Sequence, residues 1–268
     1  MIIDFHTHIF PDKMAEKTIA FLSEKGGIPS FSNGSSAGLV DKMKNAGVNI
    51  SITLPVLTNP AQFESVNRFA LEINQSFSTK ENRLISFAGI HPLCEDIDNK
   101  MRFIKESGFL GVKIHPDYQQ TFIDDESYIK ILQCAKEYDL IVVTHAGIDV
   151  AYRDKVHCTP QRALNLIRKA PHSKLVLAHL GGVEMSEQVI DTLCGEDVYF
   201  DTAYVLRDTS KDTFEQILEK HGSHKILFAS DSPWSDMEED VKIIKSFGLD
   251  KKVEEKIFFE NAKLLLGI

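Results

Sequence analysis

Cysteine is scarce in this chain, and its distribution excludes two common kinds of site. The four cysteines are far apart, and no two of them form a CxxC pair. Neither a disulfide framework nor a cysteine zinc site is therefore indicated. The chain also has no basic leader followed by an apolar run, and it starts directly in an apparent strand. We therefore expect a protein of the reducing cytoplasm with no membrane partner.

Positive charge is also in deficit. The 268 residues include 39 Asp and Glu against 30 Lys and Arg, which gives a net charge of −9. Binding to nucleic acid or to an anionic membrane needs clustered basic residues, so neither partner is expected. A small anionic substrate stays compatible with this charge, because a bound metal ion makes the local field of an acidic protein positive.

Long hydrophobic runs are absent as well, and short ones alternate with helical patterns along the whole chain. The candidate strands lie at 2–6, 48–54, 85–89, 110–114, 140–144, 175–178, 197–201 and 226–229. The main candidate helices lie at 60–79, 95–107, 124–138, 159–169, 183–194, 210–221 and 236–246. Eight strands, each followed by a helix, predict an α/β fold of the (β/α)8 TIM-barrel type, with one domain over residues 1–268. An open, doubly wound parallel sheet has the same local pattern, so this count leaves both architectures open.

One irregular stretch is rich in glycine and serine. It begins at Gly26 and ends at Ser36, between a first helix and a second, shorter one, and its composition predicts a loop. A loop inserted after the first strand of a barrel would lie at the active-site face. It is therefore either a lid over the site or a plain surface loop.

Two histidines stand at the end of the first candidate strand, in the sequence DFHTH at 4–8. Because side chains alternate along a strand, His6 and His8 are expected on one side, and Phe5 and Thr7 on the other. Two imidazoles on an inward, apolar face are costly unless they share a metal ion. The alternative is a pair of histidines that face solvent, and the motif alone leaves both readings open.

Three further strand ends carry residues of the same chemical kind. His145 and His179 follow the fifth and sixth candidate strands, and Asp231 follows the eighth. In a parallel barrel all these ends meet at one mouth. Neutral imidazoles with one carboxylate suit Zn²⁺, and also Mn²⁺, Fe²⁺ or Co²⁺. The sequence therefore predicts a divalent metal site at this mouth, with zinc as the favoured ion.

The motifs at these strand ends are similar to those of a known superfamily. DFHTH, THAG, AHLGG and ASDSPW resemble the amidohydrolase superfamily, and most of all the branch that contains aminocarboxymuconate-semialdehyde decarboxylase and its hydrolase relatives. The resemblance spans nearly the whole chain and implies the closed barrel rather than the open sheet. It implies a single metal ion held by four residues, His6, His8, His145 and Asp231. His179 would then be the catalytic acid/base, and Asp231 would also accept a proton.

The same resemblance implies an enzyme that uses metal-activated water. A bound cation lowers the pKa of its water toward 7, which supplies hydroxide at neutral pH. Our main expectation from the sequence is hydrolysis of a small amide, lactone or similar carboxylated substrate. The alternative is metal-dependent, non-oxidative decarboxylation of a small unsaturated or aromatic acid. A barrel that binds metal without catalysis is a further alternative, although such a role would not require His179.

The fourth candidate strand ends in GVKIHP at 111–116, which adds two candidates. In binuclear members of the superfamily, a carboxylated lysine at this strand end bridges two metal ions, and Lys113 would allow that arrangement. The branch that the chain most resembles has no such lysine. We therefore expect one ion, with Lys113 either binding a substrate carboxylate or forming a structural ion pair. His115 lies two residues later on the same face, where it either contacts substrate or caps the loop.

Other features complete the sequence-based hypothesis. A GIHP turn at 89–92 is similar to that of TatD-like deoxyribonucleases, but those carry a metal-binding glutamate at the end of strand four, where this chain reads GVKIHP. That departure and the acidic charge argue against a nuclease. Arg153 and Trp234 lie in loops after strands, where they are candidates for binding the substrate. Arg153 is either a two-pronged clamp for a substrate carboxylate or an ordinary surface arginine. A small molecule is the expected substrate. A homodimer is compatible with the sequence, but only because dimers are the commonest oligomers of soluble proteins.

Overall fold

In the computed structural model, which describes residues 1–77 and 81–268, the strand segments run parallel to their neighbours. The strands are β1 (Ile3–Thr7), β2 (Ile50–Thr53), β3 (Arg83–Ser86), β4 (Ala88–Gly89), β5 (Gly111–Ile114), β6 (Ile141–Thr144), β7 (Leu175–Leu177), β8 (Tyr199–Asp201) and β9 (Ile226–Leu227). Nearly every strand residue is buried, as expected of parallel strands that are covered on both faces.

The strands close into a barrel. Hydrogen bonding joins β1, β2 and β3 in one sheet and β4 through β9 in a second. Between β3 and β4, Phe87 donates its N–H to the carbonyl of Thr53 at 3.0 Å, so the break is short. At the other junction the N–H of Phe5 donates to the carbonyl of Phe228 at 2.9 Å. The predicted (β/α)8 barrel is confirmed, with the third predicted strand, 85–89, divided into β3 and β4.

Helices follow the strands around the outside of the barrel. They are α1 (Asp12–Gly26), α2 (Ser36–Ala46), α3 (Phe63–Phe77), α4 (Ile97–Glu106), α5 (Glu126–Glu137), α6 (Pro160–Lys169), α7 (Ser186–Thr192), α8 (Lys211–His221), α9 (Met237–Ser246), α10 (Lys251–Glu255) and α11 (Asn261–Leu266). Among the described residues, no helix is both long and apolar enough to cross a bilayer. The last two residues of the predicted helix 60–79 lie outside the described residues.

One predicted helix, 183–194, is shorter than expected. Val183 donates its N–H to the carbonyl of Ala146 at 3.1 Å, and Glu184 has a φ of +58°. The segment before α7 is therefore held against the loop that follows β6 and cannot be helical. The apolar periodicity of 183–194 predicts a helix and carries no information about this tertiary contact.

Two apolar layers hold the fold together. Alternate strand residues such as Ile52, Ile141 and Val143 form a cluster inside the barrel, to which α11 contributes Leu265 and Leu266. The other strand face packs against the helices in a second, larger cluster. Each fully buried side chain of this kind contributes about 1.5–3 kcal/mol to folding.

Candidate metal centre and its cavity

A bulge near the end of β1 decides where the N-terminal histidines point. The pairing of β1 with β2 shifts register between Asp4 and Thr7. Phe5 belongs to the interior apolar cluster, yet His6 and His8 both line a cavity at the mouth of the barrel. The expectation that Phe5 and His6 point to opposite sides is therefore wrong, because a bulge re-aims the side chains that follow it.

The loop after β9 brings Asp231 against these two histidines. The N–H of Asp231 donates to the carbonyl of His6 at 2.8 Å, and the N–H of His8 donates to the carbonyl of Ser232 at 2.7 Å. Carboxylate oxygen Oδ1 of Asp231 then lies 3.4 Å from His6 Nε2 and 3.1 Å from His8 Nε2. Asp231 has a φ of +68°, a strained conformation that costs about 1–3 kcal/mol and clusters at functional sites. We call His6, His8 and Asp231 the floor triad.

The other nitrogen of each imidazole in the floor triad has a fixed acceptor. His6 Nδ1 lies 2.9 Å from Oδ2 of Asp201, and His8 Nδ1 lies 2.8 Å from the carbonyl of Leu54. Because a carboxylate and a carbonyl only accept, both rings carry their proton on Nδ1, which leaves Nε2 of each ring as an acceptor. The two Nε2 atoms are 3.2 Å apart and both face Asp231. Three acceptor atoms that face one another are stabilised by a cation between them.

The spacing of these acceptors fits a metal ion. Ligand atoms that lie about 2.0–2.2 Å from one ion are about 2.8–3.1 Å apart at right angles and about 3.3–3.6 Å apart in a tetrahedron. The three distances in the floor triad are 3.1, 3.2 and 3.4 Å. The nitrogen and carboxylate donors also suit a divalent first-row metal. The donor set of the floor triad therefore fits a divalent cation.

Burial sets the charge of these groups. It lowers the pKa of His6 well below the usual value, and the positive charge of Lys113 adds to the effect. Burial alone raises the pKa of Asp231, but the positive charge that His6 and His8 can carry lowers it to about 2. A neutral His6 ring and an ionised Asp231 carboxylate are in the protonation states that bind a metal.

Lys113 lies beside the floor triad. Its side chain is buried, and Nζ is 2.9 Å from His6 Nε2. Burial lowers the pKa of Lys113 to about 8. A bridging role after carboxylation and a role in holding a substrate carboxylate are both sterically open to it, and both stay predictions.

His179, the predicted acid/base, is fixed through the end of β8. Its Nδ1 lies 2.9 Å from the carbonyl of Ala203, so the ring keeps the lone pair of Nε2. Its backbone N–H donates to Oδ1 of Asp201 at 2.9 Å. Asp201 thus holds both His6 and His179, a role that the sequence analysis missed. The signal was present, since Asp201 is a polar residue at the end of a predicted strand.

His145, the predicted fourth metal ligand, lies apart from the floor triad. Its Nδ1 is 2.9 Å from His179 Nε2, and its ring stacks on that of His115 with centroids 4.3 Å apart. His115 Nε2 in turn lies 3.4 Å from Oδ2 of Asp149. We call His115, His145 and Asp149 the side group; its ligand atoms lie close enough together to be considered for a cation. His145 as a ligand of the same ion as His6 stays a prediction.

The cavity above these residues has a volume of about 620 Å³. Its floor includes the floor triad, Lys113 and His179, and its walls are mostly apolar. The apolar part of the wall comes chiefly from α1 and the loop that follows it, α3, and the loop after β6: Met14, Phe21, Leu22, Ile28, Val66, Phe69, Ile148 and Val150. A pocket of this size takes a small organic molecule.

The remaining predicted site residues divide between the cavity and the surface. His115 and Trp234 line the cavity. Arg153 lies away from this lining, in an exposed ion pair with Glu184 at 2.8 Å, which favours the reading of an ordinary surface arginine. Gly26 and Ile28, at the start of the predicted loop, also line the cavity. The role of that loop as a lid stays a prediction.

The sequence profile of the Amidohydrolase family matches residues 3–268. The chain belongs to this family. Family membership bears out the resemblance to the amidohydrolase superfamily and makes the protein a metal-dependent enzyme. None of the curated proteins matches the chain significantly in sequence.

Solved structures of similar fold include decarboxylases and a probable hydrolase. 2,6-Dihydroxybenzoate decarboxylase from Rhizobium has a TM-score of 0.74 and 14% identity, over 99% of this chain and 98% of that one. A dihydroxybenzoic acid decarboxylase from Polaromonas, with bound manganese and the inhibitor 2-nitroresorcinol, has a TM-score of 0.74 and 16% identity, over 99% and 96%. A probable 2-pyrone-4,6-dicarboxylic acid hydrolase from Acinetobacter baumannii has a TM-score of 0.70 and 18% identity, over 100% and 99%. At these identities the likeness shows the barrel fold alone.

Proposed function

We propose that the protein catalyses metal-dependent, non-oxidative decarboxylation of a small aromatic or unsaturated carboxylic acid. The observation that carries this proposal is a wall of successive ring contacts from the side group to the rim of the cavity. His145 stacks on His115, His115 meets Tyr118 edge-to-face at 4.7 Å, and Tyr118 meets Tyr152 at 5.1 Å. Such a wall favours a flat, unsaturated ligand.

The similar structures favour the same reaction. The sequence favours hydrolysis, with decarboxylation as the alternative. The similar solved structures favour decarboxylation. The bound manganese of the Polaromonas decarboxylase supports a divalent ion here without specific support for zinc. We therefore propose Mn²⁺ as the first ion to test, held by the floor triad with His145 as a fourth ligand.

In the proposed reaction the bond between the carboxylate carbon and the substrate breaks, CO₂ leaves, and the electron pair left on the substrate carbon takes up one proton. A divalent cation supplies positive charge that holds and polarises the oxygen atoms of the substrate. His179 carries the proton: its Nδ1 is held by the carbonyl of Ala203, so the proton is exchanged at Nε2, which lies 2.9 Å from His145 Nδ1. Burial lowers the pKa of His179, so its protonated ring gives up a proton more readily than a solvent-exposed imidazolium does. The buried ammonium form of Lys113, present below its pKa of about 8, attracts the substrate carboxylate to the floor.

Hydrolysis of a small lactone or amide is the second candidate. It is favoured by the hydrolase from Acinetobacter baumannii, whose fold is nearly as similar as that of the decarboxylases. In that reaction Asp231, which is ionised at neutral pH, would accept a proton from the attacking water. The two reactions differ in product, since only decarboxylation releases CO₂.

Incubation of the Mn²⁺-loaded protein with a panel of hydroxybenzoates and unsaturated acids tests the proposal. We expect CO₂ and a product without the carboxylate in equal amounts, and no turnover by the matched Asp231→Asn variant. Hydrolysis of lactones or amides without CO₂ release, with every acid left intact, would replace the proposal by the second candidate.

A further inference from the structure

Two buried residues behind the side group form a pair that the proposed reaction does not use. Asp117 lies in the loop after β5, and His157 lies just before α6. Oδ1 of Asp117 accepts hydrogen bonds from the backbone N–H of His157 at 3.0 Å and from its ring Nδ1 at 2.9 Å. Asp117 is fully buried and His157 is 2% exposed. One carboxylate oxygen of Asp117 is thus fully engaged, and the carboxylate plane is fixed.

The second oxygen of Asp117 points toward the metal centre. Oδ2 lies 3.8 Å from Nε2 of His145. Within the described part of the chain, neither of these two buried atoms has a hydrogen-bond partner. A buried carboxylate oxygen and a buried ring nitrogen that lack partners are each costly. Their mutual approach therefore indicates an interaction that depends on which nitrogen of His145 holds the proton.

Neither proton position on His145 satisfies the ring by itself. If the proton is on Nδ1, it donates to His179 Nε2 at 2.9 Å, but the lone pair of Nε2 then faces the carboxylate of Asp117. If the proton is on Nε2, it points at Asp117, but the lone pair of Nδ1 then faces the lone pair of His179 Nε2, because Ala203 holds the other nitrogen of that ring. A cation bound at Nδ1 removes the conflict in the second arrangement.

We infer that Asp117, clamped by His157, is a positioning residue that holds the proton of His145 on Nε2 and so frees Nδ1 to bind the catalytic cation. The inference rests on the proposed metal site. Carboxylates that accept from the far nitrogen of a ligating histidine orient the ring and raise its basicity, and their loss lowers metal affinity about 10- to 100-fold. A purely structural Asp117–His157 pair would account for Oδ1 but not for the direction of Oδ2.

Asp117→Asn is the sharpest variant, because it changes one atom. Its amide oxygen still accepts both bonds from His157, while its NH₂ group faces His145 Nε2 and can only donate. The proton of His145 is then driven to Nδ1, the atom that should bind the cation. The matched control is Asp124→Asn, a carboxylate of the same loop that instead accepts from Arg162 and Asn165.

The experiment measures Mn²⁺ affinity by chelator competition, together with ¹⁵N NMR of the histidine rings in the metal-free protein. The His145 signals are assigned by their loss in His145→Gln. We expect Asp117→Asn to bind Mn²⁺ about 10- to 100-fold more weakly and to move the ring proton of His145 from Nε2 to Nδ1. Asp124→Asn should match wild type in both readouts.

A second variant keeps the test decisive if Asp117→Asn folds poorly by circular dichroism. His157→Gln leaves the charge of Asp117 but removes one of its clamping bonds, and we expect a smaller loss of Mn²⁺ affinity in the same direction. Unchanged affinity and an unchanged His145 tautomer in the folded variants would overturn the inference alone. A wild-type chain that binds no Mn²⁺ would overturn the proposed metal site, and this inference with it.

Discussion

The floor triad and the side group contain the same residue types, two histidines and one aspartate, yet they present them differently. In the floor triad the far nitrogen of each ring is held by an acceptor, Asp201 or Leu54, so both near nitrogens converge on one carboxylate oxygen. In the side group the two rings stack in parallel at an interplanar angle of 7°, and their Nε2 atoms face two different carboxylates, Asp149 and Asp117. Composition alone therefore does not make a metal site; the direction of the lone pairs does.

The backbone explains the difference. The floor triad stands where β1 and β9 close the barrel, and direct hydrogen bonds between the segments fix its members relative to one another. In the side group, His115 and His145 directly follow β5 and β6, Asp149 lies further along the loop after β6, and the two rings face different carboxylates. We therefore expect the floor triad to dominate metal affinity and the side group to tune it.

The largest expected effect is that of Asp231→Asn in the floor triad. Loss of the carboxylate removes both a ligand and the negative charge that balances the ion, so Mn²⁺ affinity should fall by about 100-fold or more. Elemental analysis and chelator competition measure this loss. Asp149→Asn in the side group is the matched control, with an expected loss of about tenfold or less. An equal loss of Mn²⁺ affinity in both variants would contradict the expectation that the floor triad contributes more to metal binding than the side group.

His179 links the two clusters, and His179→Gln should separate binding from chemistry. Removal of a general acid typically lowers kcat about 10²- to 10⁴-fold. Because His179 is not in the floor triad, metal content should stay near that of wild type. Steady-state kinetics on the identified substrate, with metal analysis of the same sample, measure both. Loss of the metal together with activity would instead make His179 a ligand.

Lys113 should make Mn²⁺ affinity depend on pH. Below its pKa of about 8 the ammonium, 2.9 Å from His6 Nε2, repels a cation at the floor triad; above that pKa the amine is neutral. The pKa of His6 is lowered well below its usual value, so His6 is neutral throughout this range. Between pH 7 and 9 affinity should therefore rise about tenfold, in proportion to the neutral fraction of Lys113.

Lys113→Met is the control for this pH dependence, and its affinity should be flat over the same range. The same sample gives the number of ions per chain. About one ion in both proteins agrees with the single-metal site that we expect. About two ions in wild type, falling to one in the variant, would establish a bridging, carboxylated lysine.

The smallest expected effect is that of Arg153→Ala. The guanidinium lies in an exposed ion pair with Glu184, and such pairs are worth little. Activity and Mn²⁺ affinity should stay within about twofold of wild type. A large rise in KM with unchanged kcat would instead restore the predicted carboxylate clamp and extend the site beyond the cavity.

Much of the fold was predictable from local patterns. Continuous apolar runs such as 140–144 indicate parallel strands buried on both faces, and the sequence Thr159-Pro160 predicts the start of α6. Less predictable were features that depend on contacts between distant segments. The segment before α7 has a helical pattern in the sequence, but its hydrogen bonds to the loop after β6 keep it from forming a helix. The bulge in β1 arises in the pairing with β2.

The candidate site also has some residues that the sequence pattern identifies and others that it does not. A polar residue directly after a buried apolar run identifies His6, His145, His179 and Asp231 as side chains of the barrel mouth, and the cavity lining includes all four. The same signal would have found Asp201, at the end of β8, had it been applied to aspartate there. Asp117 and Asp149 lie further into loops, where no periodic pattern separates a positioning residue from a solvated one.

The sequence by itself determined the alternation of strands and helices, because strand length and helix spacing are local properties of the chain. Its strand-end motifs implied the family and, through that resemblance, the closed barrel. It did not determine which nitrogen of each histidine is free. That depends on acceptors that only the closed barrel brings near: Leu54, 46 residues from His8, and Asp201, 195 residues from His6. A hydrogen bond formed at such separation fixes a tautomer only after folding, so the direction of each lone pair belongs to the tertiary structure.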